Sequence, residues 1–167
     1  MLKEKPRRII NHPEAQAWLK RLTADHTVAV TLTLKQRIVM RSGPQIYYRT
    51  MMASDLDGIT EQFVKKLNKQ IFGSRTAIKY KKTISCLAVK EGAPENGTRL
   101  HIHMTLGNLP VWLKFDDLTK KIKQAASLIE EIYDQIDVQQ LYSDRFTAYM
   151  VKNIHNSNMD NLILDFV

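Results

Sequence analysis

Residues 27–35, Thr-Val-Ala-Val-Thr-Leu-Thr-Leu-Lys, alternate between two kinds of position. A strand sends successive side chains to opposite faces. Val28, Val30, Leu32 and Leu34 therefore share one face, and Ala29, Thr31, Thr33 and Lys35 the other, which predicts a strand. Residues 99–106 repeat the pattern: Leu100, Ile102, Met104 and Leu106 read as core, with His101, His103 and Thr105 opposite. A further strand is predicted over 83–91. The segment between it and the histidines, Gly-Ala-Pro-Glu-Asn-Gly-Thr, is rich in turn formers, so the two strands should pair as an antiparallel hairpin.

Longer spacings mark helices. Residues 13–22 fit a short helix after Pro13 that buries Trp18 and Leu22 or Leu19. Over 55–72, Leu56, Ile59, Phe63, Leu67 and Ile71 form a stripe, with Ser54 as N-cap, Asp55 and Asp57 in the first turn, and Gly73 as the stop. Residues 36–50 contain Ser-Gly-Pro and read as a loop with room for a short strand over 46–49. Pro110 ends the histidine strand. Leu118, Ile122, Ala125, Ile129, Ile132 and Ile136 are spaced by four and three, which predicts one long helix over 116–136. A short strand near 137–141, a helix over 144–155 capped by Ser143 or Asp144, and an edge strand in the last seven residues complete the chain. Helices and strands do not alternate strictly. The expected class is α+β, an antiparallel sheet of about five strands with helices packed on it.

With 167 residues, the chain is expected to form one domain over 1–167. No apolar run is long enough to span a membrane, and the N-terminal Met-Leu-Lys-Glu-Lys-Pro-Arg-Arg lacks the apolar stretch of a signal peptide. The single Cys86 excludes an internal disulfide, which favours a reducing cytosol. The net charge of +8 points to a polyanionic partner. The cations are grouped. Lys3, Lys5, Arg7 and Arg8 form one cluster; Arg75, Lys79, Lys81 and Lys82 form another around Tyr80. Clustered cations with an interleaved aromatic suit a nucleic-acid backbone and a stacked base, and a solvated loop is the plain alternative.

His101 and His103 lie two residues apart on one strand face, roughly 6.5 to 7 Å at Cα. Glu91, across the hairpin, can bring a carboxylate to them. Two imidazoles and a carboxylate with open positions suit a divalent ion acting as a Lewis acid. By alternation Glu91 shares a face with Leu87 and Val89, so a bulge or strand end is expected to redirect it, and Glu95 in the loop is the reserve ligand. Near the C-terminus, Arg145, Tyr149 and Lys152 fall within roughly 60° of helical arc. Two cations beside a phenol favour its ionised form. Tyrosine is a covalent nucleophile in some enzymes. Together these features describe a nuclease that keeps one DNA end attached to itself.

In these residues the chain resembles the HUH endonucleases, named for His-hydrophobic-His, and among them the rolling-circle replication initiators (Rep type). The resemblance covers about residues 27–155. Thr-Leu-Thr-Leu at 31–34 looks like the first motif, Leu-His-Ile-His-Met-Thr-Leu at 100–106 like the second, and Tyr149-Met-Val-Lys152 like the Tyr-x-x-Lys third motif. It implies an HUH/Rep nuclease sheet of RNA-recognition-like topology. It implies His101, His103 and Glu91 as ligands of Mg²⁺ or Mn²⁺, and Tyr149 as nucleophile with Lys152 beside it. Arg145, Arg75, Lys79, Lys81 and Lys82 would contact DNA. The implied activity is site-specific nicking and strand transfer on single-stranded or hairpin DNA at the origin of a plasmid or phage. A host helicase and polymerase would be partners, since no P-loop for a helicase domain occurs in the sequence. The tyrosine follows the histidine pair, unlike the order typical of conjugative relaxases.

Three other readings compete. A single-tyrosine HUH transposase would mobilise element ends rather than nick an origin. A non-catalytic RNA-recognition-like module would need aromatics on the sheet, and the strands at 83–91 and 99–106 have none. A metal-free histidine phosphoesterase would need two His-x-Thr elements, and His103-Met-Thr105 is one.

Overall fold

Five strands form one antiparallel sheet in the computed structural model, which describes residues 12–79, 82–92, 97–142 and 162–163. In chain order they are β1 (Val28–Leu34), β4 (Ser85–Glu91), β5 (His101–Gly107), β6 (Ile132–Gln140) and the short β7 (Leu162–Ile163). A separate two-stranded ribbon, β2 (Arg37–Ser42) and β3 (Gln45–Thr50), leaves the sheet after β1. The helices are α1 (His12–Leu22), α2 (Asp55–Phe72), the six-residue α3 (Ser74–Lys79) and α4 (Phe115–Ser127). The sheet order is β6-β1-β5-β4-β7. The run β1-α2-β4-β5-α4-β6 is thus a split βαβ arrangement, with β5 inserted between β1 and β4. The fold is the expected α+β class.

One sheet face carries the main core. Val28, Val30, Leu32 and Leu34 of β1, Ile102, Met104 and Leu106 of β5, and Cys86 and Ala88 of β4 pack with Leu56, Phe63 and Leu67 of α2 and Leu118 and Ile122 of α4. Full burial of each larger aliphatic or aromatic side chain is worth about 1.5–3 kcal/mol. The Cys86 thiol is fully buried, and loss of solvation pushes its pKa up to about 12. It is accordingly unreactive. On the opposite face Leu19 and Trp18 of α1 pack on Leu87, Val89 and Leu162. β4 is therefore apolar on both sides.

The described C-terminal edge strand, β7, pairs with Ala88 and Val89 of β4, as expected for the chain's end. The helix predicted over 116–136 stops at Ser127, and its second half is strand β6. The reason lies in parity. Ile132 and Ile136 are four apart, a spacing that serves one turn of helix and one face of a strand equally well. The β-branched and aromatic content of Ile132, Tyr133, Ile136 and Val138 then favours the strand. The loop expected over 36–50 is mostly the β2–β3 hairpin. Ser54 does not cap α2; its own backbone is helical and its hydroxyl makes no cap bond. Asp55, the first helical residue, instead ties the helix start to the chain before it. Its carboxylate accepts the Met52 N–H at 2.8 Å and holds Arg49 of β3 through two bonds of 2.8 and 2.6 Å. The Arg49 guanidinium holds the Asp55 carboxyl below its ordinary pKa of 3.8.

Candidate metal centre

The hairpin of β4 and β5 brings three predicted ligands to one place. In its register Glu91 faces His101 and Val89 faces His103. The Glu91 carboxylate reaches diagonally to His103, with Oε2 2.5 Å from Nε2. The rings of His101 and His103 stack with centroids 6.1 Å apart. Directly after Glu91 the chain turns at Gly92, where φ is +99° and a Cβ would lie 2.1 Å from the Arg99 carbonyl oxygen. Only glycine fits so close to the returning strand.

No bulge redirects Glu91. It does share a face with Leu87 and Val89, as alternation requires, but that is the histidine face. The expectation of a bulge assumed that Leu87 and Val89 point into the main core, whereas they lie under α1. Glu95, the reserve ligand, lies outside the described residues.

His103 is held from its other side as well. Thr31 is opposite it on β1, and the Thr31 hydroxyl lies 3.0 Å from Nδ1. A histidine ligand whose second nitrogen is fixed by a hydrogen bond is oriented for its task. His103 is buried, 9% exposed, and burial depresses its pKa below the ordinary 6.5. The Glu91 carboxylate opposes that shift, by charge and by its hydrogen bond, while the adjacent His101 adds to it. The net direction is downward, which favours the neutral ring that a metal ligand must be. The neutral ring then donates Nε2–H to Glu91 and accepts the Thr31 hydroxyl at Nδ1. Thr33 faces His101 in the same way and is almost fully buried.

Two imidazoles and a carboxylate fit a small divalent cation by donor chemistry. In the conformation described, Glu91 bonds His103 directly, and no three His, Cys, Asp or Glu side chains among the described residues are closed into a ready ligand set. Asp137 of β6 extends the row. It pairs with Thr31, which pairs with His103, and its carboxylate accepts the Gln139 amide at 2.6 Å. The expected short strand near 137–141 contains it, but spacing alone does not say that this strand lies beside β1.

Among the described residues, Lys82 and Arg75 are not brought to the histidines. Lys82 is exposed just before β4, beyond the opposite end of that strand from Glu91, and the strand alone spans about 20 Å. There it lines a cavity of about 660 Å³ with Phe72, Thr83, Asn108 and Trp112. Arg75 is exposed on α3, and Lys79 closes that helix. Lys81 and the side chain of Lys79 lie outside the described residues, as do Arg145, Tyr149 and Lys152 and the predicted helix that carries them.

A second histidine cluster ties that far end together. His26 Nδ1 shares a hydrogen bond of 2.7 Å with Thr105, Nε2 lies 3.1 Å from the Ser85 hydroxyl, and Asp25 is 3.8 Å away. Burial lowers the His26 pKa, against the opposing pull of Asp25 and the Thr105 bond. A Cβ on Gly107 would sit 2.3 Å from the His26 ring, so the cluster needs glycine there.

The chain matches no family model, no curated protein and no solved structure. No helix among the described residues is long and apolar enough to cross a membrane.

Proposed function

We propose that this chain is a metal-dependent, single-tyrosine endonuclease and strand transferase of the HUH type, acting in the cytosol on single-stranded or hairpin DNA at a replication origin. One observation carries the reading: Glu91, His101 and His103 meet on one sheet face, with Thr31 orienting His103. A Mg²⁺ or Mn²⁺ ion bound by these residues would polarise a phosphodiester oxygen.

The rest of the chemistry falls to the chain's own groups. The Tyr149 oxygen attacks phosphorus and forms a P–O bond as the P–O3′ bond breaks. The departing 3′ oxygen gains a proton and becomes a free hydroxyl, while the 5′ phosphate stays on the tyrosine. The phenol's own proton is lost first, and Arg145 and Lys152, four residues before and three after it, favour that ionisation. Lys152 also steadies the phosphate. Attack by a 3′ hydroxyl on the phosphotyrosine reverses the step and joins strands. Unwinding and synthesis would fall to a host helicase and polymerase.

The test is incubation with an origin-like single-stranded oligonucleotide and Mn²⁺, followed by denaturing electrophoresis and peptide mapping. The expected result is a covalent adduct on Tyr149. No adduct under any divalent metal, or a nucleotide on Tyr133 or Tyr142, overturns the proposal.

A further inference from the structure

Residues 36–50 carry Arg37, Arg41 and Arg49 and no acidic residue. In the β2–β3 ribbon these fall on two different faces. Arg49 lies opposite Ile38, and this face is anchored: Ile38 packs against the main core and Arg49 is bound to Asp55 of α2. On the other face Val39 lies opposite Tyr48, Arg37 opposite Thr50 and Arg41 opposite Ile46. Tyr48 thus has a guanidinium diagonally on either side, at about 7–8 Å in such a ladder. Tyr48 is 66% exposed and Ile46 60%. Arg37 and Arg41 are exposed, and neither has an ion-pair partner among the described residues.

We infer that this face of the ribbon is a docking arm for single-stranded DNA, with Tyr48 stacking on a base and Arg37 and Arg41 contacting the phosphates on either side. The inference rests on the reading of the chain as acting on single-stranded DNA, and adds a surface to it. Charge and shape both favour this occupant. Every ionisable group of the segment that is not already paired to Asp55 is basic or phenolic. A single strand offers phosphates and open base faces at a short repeat, and stacking on an aromatic tolerates any base.

Position supports it. The ribbon leaves β1 just after Thr33, which faces His101, so it starts at the sheet end where His101 and Glu91 lie. Tyr48 itself lines a cleft of about 350 Å³, together with Lys35, Arg37, Ile38, Val39, Glu130 and Glu131. Two carboxylates there disfavour a phosphate. A base, with donors and acceptors on its edge, suits a cleft holding both signs of charge, while the phosphates stay on the outer arginines.

The experiment measures binding of the full chain to a dT oligomer and to an abasic oligomer of equal length, without divalent metal, over a range of salt. Tyr48→Ala should bind the dT oligomer about tenfold more weakly and the abasic oligomer unchanged. Tyr48→Phe should bind both as wild type does. Arg37→Ala/Arg41→Ala should weaken binding of both oligomers and flatten the log–log salt slope by about 1.4. Thermal melts of each variant confirm folding. Unchanged dT binding by Tyr48→Ala, or an unchanged slope for the double variant, overturns the inference. Adduct formation with Mn²⁺, scored on the same preparations, separates the two proposals. Adduct with no effect of the ribbon variants removes the arm alone. Ribbon-dependent binding without adduct removes the nuclease alone.

Discussion

Glu91 stands opposite His101 in the strand register, yet its carboxylate bonds His103, one step along the ladder. The diagonal follows from reach, since a long side chain spans to the i, j+2 neighbour. Glu91 is thus paired with one histidine in register and bonded to the other, so one acidic side chain links the two histidine positions.

Glu91→Gln keeps the shape and removes the charge. Mn²⁺ affinity, measured by calorimetry, should fall by more than the about 10- to 100-fold typical of a supporting partner. Oligonucleotide cleavage should fall with it, and the far-UV circular dichroism should not change. Glu95→Ala should leave both intact. The reverse pattern would move the third ligand to the loop.

Thr31→Val removes the hydroxyl that holds His103 Nδ1 but keeps the β-branched shape. Mn²⁺ affinity should drop by about 10- to 100-fold, and Thr31→Ser should restore most of it. Equal affinities in wild type and Thr31→Val would show that His103 needs no such support.

Tyr149→Phe should retain DNA and metal binding and form no adduct. Lys152→Ala should form the adduct about a hundredfold more slowly, the usual cost of removing one stabilising donor. Single-turnover assays with labelled oligonucleotide measure both, and wild-type rates for Lys152→Ala would exclude a role at the scissile phosphate.

His26 gives the fold an acid-sensitive element. Its pKa in the folded state is lowered from 6.5 by burial. Below about pH 6.5 the unfolded chain binds a proton that the folded chain resists, so stability is full above this range and is lost as pH falls. The stabilisation from Asp55 is complete above its ordinary 3.8 and is lost only below it, outside this window. The drop in melting temperature between pH 7.5 and 5 should therefore be smaller in His26→Gln than in wild type. His103 is common to both proteins and cancels in the comparison. Equal drops would show that His26 does not titrate in this window.

Gly107→Ala should destabilise the protein by about 1–3 kcal/mol, because the new methyl meets the His26 ring and the Ser85 hydroxyl. Urea denaturation reads this directly. A stability equal to wild type would mean that the cluster yields without strain.

The sheet's inner strands were legible because their alternation is strict: β1 and β5 lie within a residue or two of their expected limits, and α2 runs over the predicted 55–72. What was not legible shares one cause, that residue type alone does not say what covers a face. Leu87 and Val89 read as main core, yet they rest under Leu19 of α1. Ile132 and Ile136 continue a helical spacing, yet they pair with Leu34 and Leu32 of β1. The ribbon reads in sequence as a loop with one short strand over 46–49 because most of its residues are open to solvent, so no apolar alternation marks it. Of the candidate site, the two histidines and Glu91 followed from the hairpin. Thr31 and Asp137 depend on which strands become neighbours, a matter of topology that spacing does not encode.

The split arrangement also orders the assembly of the site in time. Glu91 and His103 belong to one hairpin, twelve residues apart, whereas Thr31 reaches His103 across 72 residues. Closing the longer loop costs about 1.6 kcal/mol more chain entropy than closing the shorter. The carboxylate and imidazole are thus drawn together by local folding, and the threonine that aims the ring arrives only when β1 docks between β5 and β6. A nascent chain can gather its donors early, but the oriented centre exists only in the completed sheet.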